Sequence, residues 1–297
     1  MGECGEERHS PGVIPNLALE ANGGRPLGAV LSYWHDVYSE GYEDQLAHAN
    51  VFPALILYAD TFWCGRDNRD PKFWGRLPLA DDPAFQVAVD LERRVEAQRT
   101  RVLGKTEWPF QFVPQTSLRW RMSDANGRLI AKNIAQATVT PRHPLFKQEN
   151  ADFVGDDVDT VVLETWIKSP KEQTVGAWVG FTGFSRARGR TLPAKGAWGR
   201  HDACVEVNGE ALPAPVWNHP GESRSIDQPF DDEEYYMRAP TPLKLQAGWN
   251  HVKLTVPRPP KSTLDDAWTA TFIPVLGDSR HPESVPGLIY SSDPPQR

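Results

Sequence analysis

From about residue 105 onward, short runs of β-branched and aromatic residues alternate with turn-forming glycine, proline, asparagine and aspartate. Short strands at this spacing are typical of an antiparallel sandwich or jelly roll. Asn208 and Gly209 predict a tight hairpin turn. The candidate strands are residues 111–113, 118–122, 137–140, 160–167, 176–182, 203–207, 243–245, 251–256 and 269–274. We therefore expect residues 105–297 to form a β-sandwich in a mainly β protein.

Residues 25–104 carry a different pattern, with helical spacing. Residues 27–33 are a short apolar run typical of a strand buried on both faces. Pro53 then suits the first turn of a helix, where its missing N–H costs nothing, and apolar residues recur at helical spacing up to Phe62. This order predicts a strand–loop–helix unit, with Trp34 and Asp36 at the carboxyl end of the strand.

A second helix is predicted to begin at Asp82, an N-cap acceptor that is followed by Pro83 at the first helical position, and to end near Gly104. One face of this helix is apolar and should be buried, whereas the other is charged and should face water. The apolar stripe is Phe85, Ala88, Leu91 and Val95, and the charged positions are Glu92, Arg93, Arg94, Glu96, Arg99 and Arg101. We interpret the arginines as solvated surface rather than a binding patch.

Composition narrows the domain organisation and the classes of partner. Residues 1–24 are polar and lack periodicity, so the chain divides into an irregular lead-in over 1–24, an α/β segment over 25–104 and the β region over 105–297. The net charge of −7 disfavours the basic surface that binds nucleic acid. The first ten residues lack the apolar core of a signal peptide, and no apolar run of about 20 residues occurs. We expect a cytoplasmic chain without a membrane partner, although a longer parent could be exported.

No group of residues has the spacing of a known metal, cofactor or nucleophile motif. Cys4, Cys64 and Cys204 are too widely spaced for a disulfide framework or a zinc site, and we expect free thiols. We therefore expect no cofactor and no metal, with one alternative left open. The acidic residues 231–234 could supply oxygen ligands to calcium, although they lack the ligand spacing of an EF-hand.

Trp34 and Asp36 are the most chemically suggestive pair in the sequence. In a parallel α/β barrel the active site is built at the carboxyl ends of the strands, where these two residues are predicted to lie. A tryptophan there could pack against the apolar face of a pyranose, and an aspartate two residues later could accept hydrogen bonds from its hydroxyls. From the residues alone the alternative is structural, because tryptophan is mostly core and aspartate often caps a turn.

Two segments resemble the end of the catalytic barrel of family 20 glycoside hydrolases, the β-N-acetylhexosaminidases. They are LSYWHD at residues 31–36 and VFPALILYADTFWCG at residues 51–65. In that family a Trp-x-Glu/Asp closes the last barrel strand, and a helix ends in Glu-Arg-x-Trp. This sequence has Asp60 and Trp63 at the ends of the second motif but lacks its arginine.

A second set of segments is similar to the galactose-binding-like β-sandwich that follows the barrel in some bacterial members of this family. It comprises GAWVGF at 176–181, GAW at 196–198, VEVNGE at 205–210, PVW at 215–217, YYMRAP at 235–240 and GWNHVKL at 248–254. The resemblance implies a jelly-roll sandwich preceded by a partial α/β barrel with two helices.

The resemblance also implies a function. Trp34 would line the subsite for N-acetylglucosamine, and Asp36 would bind sugar hydroxyls. The family uses the substrate's acetamido oxygen as nucleophile, with an Asp that orients the acetamide and an adjacent Glu as acid/base. That Asp-Glu pair belongs to an earlier barrel strand and has no match here, since a full barrel takes about 200–250 residues and only about 100 precede the end of the second helix.

We therefore expect a carboxy-terminal fragment of a hexosaminidase-like hydrolase that is inactive alone. Its expected partners are N-acetylhexosamine-containing glycans and the missing part of the barrel, in cis or in trans. The alternatives are a non-catalytic carbohydrate-binding module, with Trp198, Trp217 and Trp249 as candidate contacts, and a purely structural sandwich.

Overall fold

The chain folds into a mainly β structure in which two antiparallel sheets share one hydrophobic core. The computed structural model describes Leu55, Ile56, Ala59 and residues 76–103, 109–142, 152–181, 190–199, 201–224, 234–260 and 267–295. The strands are β1 Trp120–Asp124, β2 Leu129–Ile134, β3 Thr138–Arg142, β4 Thr160–Ser169, β5 Gln173–Gly180, β6 Arg190–Thr191, β7 Cys204–Val207, β8 Glu210–Ala211, β9 Ser223–Arg224, β10 Thr241–Leu245, β11 Gly248–Pro257, β12 Trp268–Leu276, β13 Glu283–Ser284 and β14 Ile289–Ser291.

The larger sheet has the strand order β2-β1-β4-β11-β7-β8 in the described part of the chain. Strands β4 and β11 are its centre and pair over their whole length, from Thr160 opposite Pro257 to Ser169 opposite Gly248. On its other side β4 pairs with β1 at one end and with β14 at the other. The smaller sheet has the order β10-β5-β12-β13, and β3 also pairs with β12. Strands β6 and β9 form a separate two-stranded pair.

The alternation of side chains along each strand explains the position of the core. In β4 the side chains of alternate residues from Val161 to Ser169 are buried, whereas the residues between them are half-buried or exposed. Strand β5 of the smaller sheet buries Val175 and Ala177 in the same apolar cluster. Because successive residues of a strand point to opposite faces, these buried positions are the inner faces of the two sheets.

The hairpin between β7 and β8 confirms the predicted turn at Asn208 and Gly209. Both residues have positive φ, 54° and 83°, as a two-residue primed turn requires. The Asn208 side chain extends this turn to β11, because its Oδ1 accepts from the backbone N–H of His251 at 2.9 Å and its Nδ2 donates to Asn250 Oδ1 at 3.0 Å. The fully buried Asn250 amide also donates to the carbonyls of Gln246 and Gly248, so it fixes the turn between β10 and β11.

The predicted second helix is present as a 3₁₀ turn, Pro83–Phe85, followed by α1, Gln86–Arg101. The Asp82 carboxylate accepts from the backbone N–H of Ala84 at 2.8 Å, which confirms the predicted N-cap. All four residues of the apolar stripe are buried, and they pack with Phe110 and Ala135. Leu55, Ile56 and Ala59 are also helical, within the segment predicted as the first helix.

Glu92 corrects the prediction for the charged face of α1. Its carboxylate is partly buried and accepts from the backbone N–H groups of Gln115 and Thr116 at 2.6 and 2.9 Å, and from the Thr116 hydroxyl. Burial raises the pKa of Glu92, and these hydrogen bonds oppose that rise. Arg93 does lie in solvent, as predicted, with 72% of its side chain exposed, whereas only 18% of the Arg99 side chain is exposed, which corrects the prediction for that arginine.

Residues 111–113 were predicted as a strand and are irregular instead, although Val113 is buried. This segment is held by hydrogen bonds from the Gln111 side chain and not by pairing with a neighbouring strand. Gln111 Nε2 donates to the carbonyls of Tyr236 and Ser279 at 2.8 and 3.1 Å. This segment therefore ties residues 234–240 to the loop after β12.

Candidate functional site

The predicted sugar-binding pair, Trp34 and Asp36, lies outside the described residues, as do residues 231–233 of the candidate calcium loop. Cys204 is a free thiol, as predicted, whereas Cys4 and Cys64 are not among the described residues. No cluster of three or more His, Cys, Asp or Glu side chains suited to a metal occurs in the described ranges.

The three tryptophans considered as sugar contacts differ sharply in exposure. Trp198 and Trp217 are only 5% exposed, and their indole N–H groups donate to the carbonyls of Leu212 and Ala197. Both are thus structural, and neither offers a face to a ligand. Trp249 is 37% exposed and lies on β11, in the sheet rather than on a loop.

The register of the larger sheet places Trp249 in a group of outward-facing side chains. On β4, the residues Glu164, Trp166 and Lys168 alternate with buried ones and therefore face outward. On β11, Trp249 is paired with Lys168 and His251 with Trp166. Directly opposed side chains in an antiparallel pair lie about 4.5–5.5 Å apart at Cβ. We call these five residues, Glu164, Trp166, Lys168, Trp249 and His251, the outer-face cluster.

Two contacts fix the rings of Trp166 and His251. Their planes are nearly parallel, at 12°, and their centroids are 4.8 Å apart. The imidazole Nε2 lies 3.0 Å from Glu164 Oε1, and because an ionised carboxylate only accepts, Nε2–H is the donor in this pair. Glu164 thus fixes the orientation of the His251 ring, and His251 in turn fixes the orientation of the Trp166 indole on this half-exposed surface.

The neighbouring row adds exposed apolar surface and a cation. The Lys168 ammonium lies 5.9 Å from the ring centroid of Trp249, a cation–π contact. Lys168 also pairs across the sheet with Ile289 of β14, which is 57% exposed. The row Ile289, Lys168, Trp249 thus crosses three strands beside the stacked pair. This row therefore combines exposed apolar surface with one cation.

A charged row borders the outer-face cluster on its other side. Register places these residues side by side across five strands, in the order Lys132, Arg121, Glu164, Lys253 and Glu206. Lys253 Nζ lies 3.1 Å from Glu206 Oε2, and Lys132 Nζ lies 3.3 Å from Asp293 Oδ2. Carboxylates therefore already neutralise two of the three cations in this row.

No family model matches the chain, and no curated protein matches it either. We therefore infer function from the side chains themselves. In the described part of the chain, no helix is long and apolar enough to cross a membrane.

Two carboxylates outside this face join loops to strands. Asp156, in the loop before β4, is 80% exposed but accepts from both Arg142 and Arg258. The hydrogen bond from Arg142 makes the largest contribution to lowering the pKa of Asp156, and the hydrogen bond from Arg258 makes the next largest. These contacts join the loop before β4 to β3 and to the end of β11. Asp124 and Arg128 similarly close the turn between β1 and β2.

Sequence reasoning found the strands of the outer-face cluster but not the cluster. Residues 160–167 and 251–256 were predicted as strands, and alternation alone places Glu164 and Trp166 on one face. The pairing of β4 with β11, which brings Trp166 onto His251, joins residues more than 80 positions apart. That register has no local signal in either strand.

Proposed function

We propose that this chain is the carboxy-terminal accessory part of a β-N-acetylhexosaminidase-like glycoside hydrolase, and that its sheet pair is a non-catalytic glycan-binding sandwich of the jelly-roll, galactose-binding-like type. One observation carries the binding function, namely the outer-face cluster. Two indoles and an imidazole stand there on adjacent strands with their neighbouring polar groups already oriented.

A pyranose has an apolar face of axial C–H groups and a rim of hydroxyls, and the outer-face cluster matches both. The indole of Trp249 provides exposed apolar surface for the ring. The Glu164 carboxylate and the Lys168 ammonium provide an acceptor and a donor for hydroxyls on either side of Trp166. Because Glu164 and His251 already fix Trp166, little side-chain entropy would be lost on binding.

The assignment to a hexosaminidase-like parent is supported by the resemblance of residues 31–36 and 51–65 to the end of that family's barrel. In this proposal Trp34 and Asp36 bind N-acetylhexosamine in the barrel, and the rest of the barrel is supplied in cis or in trans. The sandwich then holds the same glycan away from the catalytic centre.

Calorimetric titration of the full chain with chitotetraose tests the binding function. We expect a dissociation constant between micromolar and millimolar, weakened about tenfold by Trp249→Ala or Trp166→Ala, which corresponds to about 1.4 kcal/mol. Val216→Ala is the matched control, because Val216 is 92% exposed but lies on the loop between β8 and β9. No heat with any glycan at millimolar concentration, neutral or acidic, would contradict the proposal.

Hydrolysis is tested separately with p-nitrophenyl β-N-acetylglucosaminide. We expect no release of p-nitrophenol by the chain alone, since the adjacent Asp-Glu pair that performs the chemistry in the family has no match in the barrel-like segments. Release that survives Trp34→Ala and Asp36→Ala would refute the assigned roles of both residues. Activity gained on adding a barrel fragment would support supply in trans.

A further inference from the structure

The outward-facing side chains of the larger sheet include more cations than carboxylates, although the net charge of the chain is −7. Register places six groups with fixed charge on this face in the described strands. Four of them are cations and two are carboxylates: Lys132, Arg121, Lys168, Lys253, Glu164 and Glu206. The chain as a whole has the opposite balance, with 39 acidic and 32 basic residues. Even when Asp293, which pairs with Lys132, is included, this face carries more cations than carboxylates, whereas the chain as a whole is acidic.

Two of the four cations have no carboxylate partner among the described residues. Lys132 is paired with Asp293 and Lys253 with Glu206, whereas the Glu164 carboxylate is engaged by His251. Among the described residues, Lys168 forms a cation–π contact with Trp249 but no ion pair. Arg121 lies between Lys132 and Glu164 in the charged row and forms no ion pair with a described residue.

Arg121 and Lys168 flank Trp166 on the same side of the sheet. Arg121 of β1 pairs with Glu164, and Ile289 of β14 pairs with Lys168. Between these two rows, Trp166 is opposite Ser291 of β14, whose small side chain leaves room beside the indole. His251 covers one face of the indole, so a ligand has access from the side of Ser291. A ring that enters there has a cation on each side, and neither cation is ion-paired within the described part of the chain.

We infer that the outer-face cluster selects an acidic glycan, whose pyranose packs beside Trp166 over Ser291 and whose carboxylate or sulfate ester binds Arg121, with Lys168 as the second cation. This inference rests on the proposed glycan-binding function. A planar guanidinium can donate two parallel hydrogen bonds to either anionic group. Both cations are on an exposed sheet face, so binding should weaken as salt screens them.

The experiment compares three β-linked tetrasaccharides on the full chain by calorimetry at low salt. They are neutral chitotetraose, chitotetraose carrying 6-O-sulfates, and a tetrasaccharide of alternating N-acetylglucosamine and glucuronate. We expect one or both acidic ligands to bind about tenfold more tightly than chitotetraose, with the preference lost at 0.5 M salt. The sulfated and glucuronate arms show which anionic group is recognised.

Variants separate selectivity from binding. Arg121→Gln should reduce the acidic ligands to the affinity of chitotetraose, Arg121→Lys should restore part of the preference, and Trp166→Ala should weaken all three ligands. Arg93→Gln is the matched control, because Arg93 is a largely exposed arginine on α1; unchanged melting temperatures would show that each variant is folded.

Three outcomes overturn the inference. Equal affinity for neutral and acidic ligands removes the selectivity but leaves the glycan-binding function intact. Binding of a polyglutamate peptide as tight as that of the acidic glycans shows recognition of charge without sugar. No binding of any ligand removes the proposed function as well.

Discussion

The outer face of the larger sheet carries exposed and half-exposed side chains, whereas the outer face of the smaller sheet around Trp178 is covered by the chain itself. Trp166 and Trp178 make the comparison direct, since each is an outward-facing tryptophan on a central strand. Trp166 is half-buried and stacks on His251. Trp178 is only 5% exposed and packs edge-on against Tyr235, with ring centroids 5.5 Å apart.

Glycines beside Trp178 explain how the smaller sheet is covered. A Cβ on Gly180 would lie 3.0 Å from the Tyr235 ring, and a Cβ on Gly176 would lie 2.6 Å from Pro240 Cβ. The absence of side chains at these two positions allows residues 234–240 to lie directly on the sheet. The equivalent outward positions of β4 hold Glu164, Trp166 and Lys168, which occupy that space themselves.

The comparison teaches that an outward aromatic residue has no fixed role. Where small neighbours admit another segment, the aromatic side chain becomes core; where its neighbours are long and charged, it stays at the surface and is available to a ligand. The alternation of a β-strand places an aromatic side chain on the outer face in either case. Its neighbours on that face then decide whether the side chain is buried or exposed.

The largest expected effect is on the covered face. Trp178→Ala should lower the free energy of unfolding by about 3–5 kcal/mol, because it leaves a cavity under Tyr235. Trp166→Ala should lower it by about 1 kcal/mol or less, since the indole is already partly in water. Urea unfolding of both variants measures the difference.

Trp178→Phe is the control for that experiment. The buried Trp178 Nε1 has no hydrogen-bond partner in the described structure. Phenylalanine therefore removes an unsatisfied donor while keeping most of the apolar contact, and it should cost clearly less than alanine. Equal losses for Trp178→Ala and Trp166→Ala would mean that the two faces do not differ energetically.

The second prediction concerns alkaline pH. Burial of the Tyr235 hydroxyl, assisted by the negative charge of Glu234, raises its pKa to about 12. The unfolded chain ionises near pH 10 while the folded chain does not, so the stabilisation is complete below pH 10 and is lost between pH 10 and about 12. The expected loss in unfolding free energy is about 1 kcal/mol per pH unit in that window.

Tyr235→Phe should remove this part of the pH dependence, as measured by urea unfolding between pH 8 and 11 with tyrosine ionisation followed by absorbance. Burial also raises the pKa of Tyr290 on β14, so Tyr290→Phe is the paired control and should leave the Tyr235 contribution in place. Parallel pH profiles for wild type and Tyr235→Phe would refute a role for Tyr235.

Local signals predicted much of the fold. Asp82, Pro83 and the apolar stripe of α1 act within a few residues of one another, and the helix forms where they place it. The turn at Asn208 and Gly209 is local for the same reason. The long strands β4, β11 and β12 were also predicted, because each contains a sustained β-branched or aromatic pattern.

The structures that sequence reasoning missed depend on partners far along the chain. Strand β2, LIAKNI, alternates weakly and is a strand because β1 pairs with it. Strand β14 is three residues long and is defined by its pairing with β4. Glu92 looked solvated on the helix, and its burial depends on residues 115–116. The outer-face cluster also depends on distant partners, because the register between β4 and β11 brings its residues together.

The third prediction tests how the cover of the smaller sheet is held. Gln111→Ala removes two hydrogen bonds to the carbonyls of Tyr236 and Ser279 in a buried site, and should cost about 1–2 kcal/mol of unfolding free energy. Hydrogen exchange should increase in residues 234–240 and not in β11. Gln115→Ala is the comparison variant, because it lies close by in the sequence and leaves these two carbonyls untouched. Faster exchange in β11 alone would contradict the proposal that Gln111 holds residues 234–240.

The smallest effect is expected on the outer face of the larger sheet. A double-mutant cycle with Glu164→Gln and His251→Gln should give a coupling energy of about 0.5 kcal/mol, because the pair is partly exposed to water and screened by salt. Lys253 and Glu206, on the same face at similar exposure, provide the matched pair and should give a similar value. Glycan affinity should fall in His251→Gln by more than this stability change, because the imidazole orients Trp166. A coupling above about 2 kcal/mol with no change in glycan binding would instead make the outer-face cluster structural, as Trp178 is on the covered face.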